Sequence, residues 1–114
     1  MQRITCKFGG TSLADAANIK IMQSIVDENP ARRWIVPSAP GKRFPEDKKI
    51  TGLLYAWHSI ASQGFDSSEP KRIIQERFEA LAQELAIDFD VAPHIEEIEA
   101  RIGEEHIIDY MASR

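Results

Sequence analysis

One cysteine, Cys6, stands in 114 residues. That excludes an internal disulfide framework and a cysteine-built zinc site, and it suits a reducing cytoplasm. Long apolar runs are missing too. Nothing approaches the roughly 20 residues of a membrane-spanning helix, and the polar start Met1-Gln2-Arg3 lacks the apolar stretch of a signal peptide. Basic residues are outnumbered, 14 against 18 acidic, for a formal charge of −4. A nucleic-acid duplex requires clustered Lys and Arg in excess, so nucleic acid is not an expected partner, and neither is a membrane. Repeats, low-complexity tracts and linkers are also lacking. What remains is ordinary globular composition, 43% apolar and 28% charged.

The pattern that is present opens with a strand. Ile4, Cys6 and Phe8 alternate with Arg3, Thr5 and Lys7 until Gly9-Gly10 breaks the period. A helix follows, beginning at Ser12 or Asp15 and carried by Ile19, Met22, Ile25 and Val26 until Asn29-Pro30 closes it. Trp34-Ile35-Val36 reads as a second strand, which Pro37-Ser38-Ala39-Pro40-Gly41 ends at once. The first 40 residues are therefore a βαβ unit, expected to be parallel and right-handed. Beyond Pro45 the period turns helical. One helix carries Ile50, Leu53, Leu54, Trp57 and Ile60 and ends near Gly64. A second starts at Ser68-Glu69-Pro70 and carries Ile74, Phe78, Leu81 and Leu85. A third is capped by Asp90, carries Val91, Ile95, Ile98 and Ile102, and places Gly103 in the left-handed position after its last turn. Ile107, Ile108 and Met111 suggest a further helix.

Two parallel strands do not make a covered sheet, since parallel strands are normally buried among several neighbours. The last helical pattern also reaches Ala112-Ser113-Arg114 without a stop signal. The expectation is the front part, residues 1–114, of a longer α/β domain. Alone, such a piece is expected to hide its orphaned faces by self-association.

Chemistry concentrates in Lys7-Phe8-Gly9-Gly10-Thr11-Ser12, between the first strand and the first helix. Two glycines let the backbone turn tightly and approach a ligand, while the unpaired N–H groups of a helix's first turn favour anions. Lys7 adds a positive charge, and Thr11 and Ser12 add hydroxyl groups. Together they read as a phosphate cradle. On local physics the same residues also fit a plain turn, a helix cap and a solvated lysine. The stretch is neither a Walker loop nor a G-x-G-x-x-G dinucleotide turn, and Gly41-Lys42 is followed by Arg43 rather than Ser or Thr.

Three segments in order then resemble a known family. Lys7-Phe8-Gly9-Gly10-Thr11-Ser12, Ser38-Ala39-Pro40-Gly41-Lys42-Arg43 and Lys49-Ile50-Thr51-Gly52-Leu53-Leu54 resemble the opening motifs of aspartate kinases, within the amino acid kinase superfamily. Asp109-Tyr110-Met111-Ala112-Ser113-Arg114 resembles the approach to that family's Gly-Glu pair. The resemblance implies a three-layer αβα catalytic domain. The reaction it implies moves the ATP γ-phosphoryl group to the side-chain carboxylate of L-aspartate, with Mg2+, in a cytoplasmic homo-oligomer of amino-acid biosynthesis leading to lysine, threonine and methionine. It makes Lys7 the catalytic, phosphate-binding lysine and lines the phosphate side with Gly9, Gly10, Thr11 and Ser12. Ser38 and Thr51 would face the aspartate substrate, and no metal ligand is assigned. Gly52 departs from the Asn or Asp that often follows this threonine, and Thr51 by position also reads as a helix cap. The nucleotide-binding second half and the ACT regulatory modules of the family fall after the matched segments, so this piece alone is expected to be inactive.

A carboxylate acceptor is ionised at neutral pH, with a reference pKa of about 3.9, so the reaction needs no general base. It needs two anions held together and charge stabilised on the moving phosphoryl oxygens. Two alternatives stand beside this reading: a related kinase acting on glutamate or a nucleotide, and a noncatalytic helical interaction domain. Of the histidines, His58, His94 and His106 make no metal-binding pattern and read as structural or surface residues. The acidic runs around Glu96-Glu97 and Glu104-Glu105 read as solvated helix faces.

Overall fold

The computed structural model describes residues 2–104. The fold is mixed α/β, with two parallel strands and four α-helices among the described residues. The chain divides into two compact units at Lys49/Ile50.

In the first unit, β1 (Ile4–Phe8) and β2 (Arg32–Pro37) pair in parallel, with Thr5 opposite Trp34, Lys7 opposite Val36 and Phe8 opposite Pro37. A 3-10 turn, Gly10–Leu13, and helix α1 (Ala16–Glu28) connect them. Alternation along β1 sets its two faces: Ile4 and Cys6 are half-buried and Phe8 buried, while Thr5 and Lys7 are exposed. The exposed side also carries Trp34, 57% exposed, and Val36, 49% exposed. A pair of strands has too few neighbours to cover both faces.

Pro37 departs from the expectation that the strand stops before it: it is the last strand residue. Its missing N–H costs nothing there, because the following amide, Ser38 N–H, donates to Phe8 C=O at 2.9 Å. Of the two expected starts for α1, Asp15 is the one used. Its Oδ1 accepts the Asn18 N–H at 2.8 Å, while Ser12 lies inside the 3-10 turn. At the other end Arg32 Nη1 donates to the Ile25 carbonyl, and Asn29 Oδ1 accepts the Ala31 N–H at 2.9 Å, which turns the chain into β2.

The second unit holds α2 (Ile50–Ser62), α3 (Ser68–Glu84) and α4 (Ala92–Arg101). Their helical stripes supply its core: Ile50, Leu53 and Trp57 from α2, Ile74, Leu81 and Ala82 from α3, Ile95 and Ile98 from α4, with Val91 just ahead of α4. His58 Nδ1 lies 3.1 Å from the Ile102 carbonyl. A carbonyl only accepts, so that nitrogen carries the proton and ties α2 to the end of α4.

Helix ends show which stop signals act. α2 closes as a Schellman turn, with Gly64 at φ 80°, Gly64 N–H on Ala61 C=O and Phe65 N–H on Ile60 C=O. The left-handed glycine expected at Gly103 is not found there, because α4 runs out through Ile102 in right-handed geometry. The start of α3 is also corrected: the cap position falls to Ser67, not Ser68, without a side-chain hydrogen bond of its own, and Asp66 Oδ1 accepts the Ser68 N–H at 3.0 Å. That bond holds the Asp66 carboxyl below the ordinary range. The cap position of α4 falls to Val91 rather than the expected Asp90, whose Oδ1 accepts the Ala92 N–H at 3.1 Å from one residue further out. The helix suggested around Ile107, Ile108 and Met111 lies outside the described residues.

α3 ends with the same Schellman pattern as α2, but Ala86 occupies the left-handed position at φ 54°. A Cβ there is unfavourable by about 1–2 kcal/mol, partly offset by the freedom glycine loses on folding. Ala86→Gly is therefore expected to raise stability by roughly 1 kcal/mol, read as a higher urea midpoint at unchanged m-value.

Candidate active site

The first unit brings together most of the residues singled out from the sequence. β1 delivers Lys7 at its penultimate position, its side chain exposed and in no ion pair or hydrogen bond among the described residues. Gly9, extended at φ −76° and ψ 176°, leads into the 3-10 turn that carries Gly10, Thr11 and Ser12. Ser38 follows β2 directly and is exposed, one ladder step from Phe8. Thr51 is the second residue of α2 and exposed, in the other unit.

The amides of this bend are divided in their use. Ser12 N–H is taken by Gly9 C=O at 3.1 Å. The N–H groups of Gly10 and Thr11 have no protein acceptor among the described residues. These two are the donors left for an anion. The first turn of α1, which the sequence suggested as the anion-facing helix end, is instead occupied by its own Asp15 carboxylate. The donors therefore come from the short turn ahead of α1. Asn18 braces that turn, its Nδ2 donating to Thr11 C=O at 3.0 Å.

The two glycines differ in what surrounds them. A Cβ on Gly10 would come within 3.1 Å of Ala39 O and of Gly41 Cα, so its bareness is a packing requirement. A Cβ on Gly9 would meet nothing within 4 Å, and its backbone angles suit any residue. Protein packing gives no reason for glycine at position 9. A ligand pressed against that backbone would, and the residues present in this way fit a bound phosphate chain.

After β2, residues 43–47 are held by a clasp that sequence reading passed over. Asp47 accepts from Arg43 Nε at 2.6 Å, Nη2 at 3.0 Å and the Arg43 N–H at 3.0 Å, and the Arg43 guanidinium also sits 5.5 Å from the Phe44 ring centre. The Arg43 hydrogen bonds hold the Asp47 carboxyl well below the usual carboxylate range. Folding lowers this pKa, so the clasp's contribution is complete above the unfolded value of about 3.9 and is lost only as pH falls through the lower folded value. A carboxyl-carbon NMR titration is expected to show no Asp47 inflection near pH 4. An inflection there would mean that the clasp is open in solution. The only sequence signal for it was opposite charge at i, i+4 in a stretch with no helical pattern.

Among the described residues no three His, Cys, Asp or Glu side chains gather to hold a metal, and no helix is long and apolar enough to cross a membrane.

No family model matches the chain. It is nevertheless similar to aspartokinases. Over 81 residues, 71% of its length, it is 40% identical to aspartokinase 3 of Bacillus subtilis (strain 168), of which those residues are 18%. Over its full length it superposes on the crystal structure of the aspartate kinase of Clostridium acetobutylicum, an allosteric enzyme, with a TM-score of 0.92 and 38% identity. The chain spans about a fifth of the first relative's length and 26% of the second.

Proposed function

We propose that this chain is the phosphate-binding front of an aspartate kinase catalytic domain, with the three-layer αβα fold of the amino acid kinases. One observation carries the reading: the whole chain follows a known aspartate kinase in space at 38% identity. The local geometry agrees with it. Lys7 and the two open amides of Gly10 and Thr11 offer one charge and two fixed donors beside a glycine that no protein atom crowds.

In this reading the triphosphate of ATP lies along Gly9 and Gly10. Lys7 and the Gly10 and Thr11 N–H groups meet the charge that builds on the phosphoryl oxygens, and the Thr11 and Ser12 hydroxyls add donors. A carboxylate oxygen of L-aspartate, oriented by Ser38, forms the new P–O bond as the bond to ADP breaks, giving 4-phospho-L-aspartate. No proton has to be removed from the acceptor. Bound with the nucleotide, Mg2+ would supply charge that lessens the phosphates' repulsion of the carboxylate, and no side chain of this chain is assigned to it. The working protein is a cytoplasmic homo-oligomer in which these residues act with a longer catalytic chain, in the biosynthesis of lysine, threonine and methionine.

The test is acceptor specificity. The full-length protein carrying this chain, supplied with Mg-ATP and hydroxylamine, is expected to give aspartyl hydroxamate with L-aspartate and none with L-glutamate. Product from glutamate alone would move the chain to a sister kinase, and no ATP turnover with any carboxylate would reject the reading.

Gly9→Ala tests the phosphate placement. An Ala at compatible backbone angles is expected to leave stability unchanged or raise it by about 0.4–1 kcal/mol. If phosphates fill the space beside Gly9, KM for ATP rises on the order of tenfold, about 1.4 kcal/mol. Unchanged ATP kinetics in a folded variant would remove Gly9 from the site.

A further inference from the structure

The peptide joining Gly10 to Thr11 holds one of the two open donors of the bend, and its other side is gripped by a residue that has so far carried no role. Gly41 is buried, and its N–H donates to Gly10 C=O at 2.8 Å. A Cβ on Gly41 would fall 2.8 Å from Gly10 C, 3.0 Å from Gly10 O and 3.1 Å from Thr11 N. All three are backbone atoms, which cannot swing aside as a flexible side chain would. Gly41 has no left-handed φ, so conformational freedom does not explain the glycine, but space does. We infer that Gly41 is a positioning residue for the nucleotide phosphates: its bareness seats the segment after β2 against the Gly10–Thr11 peptide and fixes where the Thr11 N–H points.

Two effects act through that contact. The first is geometric. Thr11 C=O is pinned from the other side by Asn18, so the donor is held between two fixed peptides. The second is electronic. A carbonyl that accepts a hydrogen bond polarises its own amide, and the Thr11 N–H on the far side becomes a stronger donor. The Arg43–Asp47 clasp, two residues further along, closes a turn in the same segment.

This inference rests on the kinase reading and deepens it, so the experiment separates the two. In the full-length protein, Gly41→Ala, Lys7→Ala and, as a surface control with open space at its Cβ, Gly103→Ala are compared. A donor displaced by a fraction of an ångström to 1 Å is expected to raise KM for ATP and lower kcat by a combined tenfold to about a hundredfold. KM for aspartate and the melting temperature stay near those of wild type and Gly103→Ala. Wild-type ATP kinetics in Gly41→Ala, beside an inactive Lys7→Ala, would overturn the role of Gly41 and leave the kinase reading standing. Equal losses for both substrates with a matching fall in melting temperature would overturn it too, as a purely structural effect. Full turnover in Lys7→Ala would instead strike the kinase reading itself. Should Gly41→Ala fail to fold, Asp47→Asn decides: it loosens the same segment without adding an atom to the bend and is expected to raise KM for ATP by a smaller factor, whereas no change would overturn the inference.

Discussion

Lys7→Ala in the full-length protein is expected to lower kcat by about 10²–10³, the usual loss when one preorganised stabiliser of developing charge is removed, with the melting temperature within a degree or two of wild type. The two halves of that expectation have separate causes. The Lys7 side chain is exposed and in no ion pair or hydrogen bond among the described residues, so truncating it leaves no buried group unsatisfied and opens no cavity. Its ammonium, two residues ahead of the bend, is free to serve a ligand. Lys7→Arg is expected to recover little, because a planar fork does not take the place of a compact point charge. Steady-state kinetics beside a thermal melt checks both halves. Full activity in Lys7→Ala would remove the charge on which the proposed chemistry depends, and a large loss of stability would mean that Lys7 is structural.

Trp57→Ala is expected to have the opposite signature, a loss of about 3–5 kcal/mol of stability. Among the described residues Trp57, at 1% exposed, is the deepest of the large side chains, with Ile74 next in the same helical unit. Removing an indole leaves a cavity that three short helices cannot close without giving up their own contacts. Domains commonly have only 5–15 kcal/mol in hand, so urea unfolding should show a much lower midpoint or no folded baseline at all. Trp57→Phe, which keeps most of the volume, should recover much of the loss. A Trp57→Ala midpoint close to wild type would show that the core does not rest on this side chain.

Much of the architecture was legible because it depends on short-range periodicity. Ile4, Cys6 and Phe8 against Thr5 and Lys7 marked β1, and the stripes through Trp57, Ile74 and Ile95 marked three helices, since a buried face must recur at the period of its element. The misreadings cluster where a single residue chooses between partners. Pro37 stayed in the strand because its neighbour's amide was the one the ladder needed. Gly103 looked like the natural left-handed stop, yet Gly64 and Ala86 hold that conformation where two helices close. Ser68 looked like a cap, but the helix takes it as its first residue, with its amide held by Asp66. In each case the deciding energy is about one hydrogen bond, too little to read from residue type alone.

The site divides in the same way. Lys7, Gly9, Gly10, Thr11 and Ser12 stood out in the sequence because charge, hydroxyls and glycine meet at a strand-to-helix junction, and Ser38 stood out through the family resemblance. Nothing in the sequence said which amides of the bend would remain open, that Asp15 would claim the start of α1, or that Gly41 would lie against Gly10. Composition and order thus determined which chemistry the chain can offer, since residue identity fixes charge, donors and backbone freedom. Only the folded arrangement decided which donors are left for a ligand, because a hydrogen bond is spent or spared according to what tertiary contact brings within 3 Å of it.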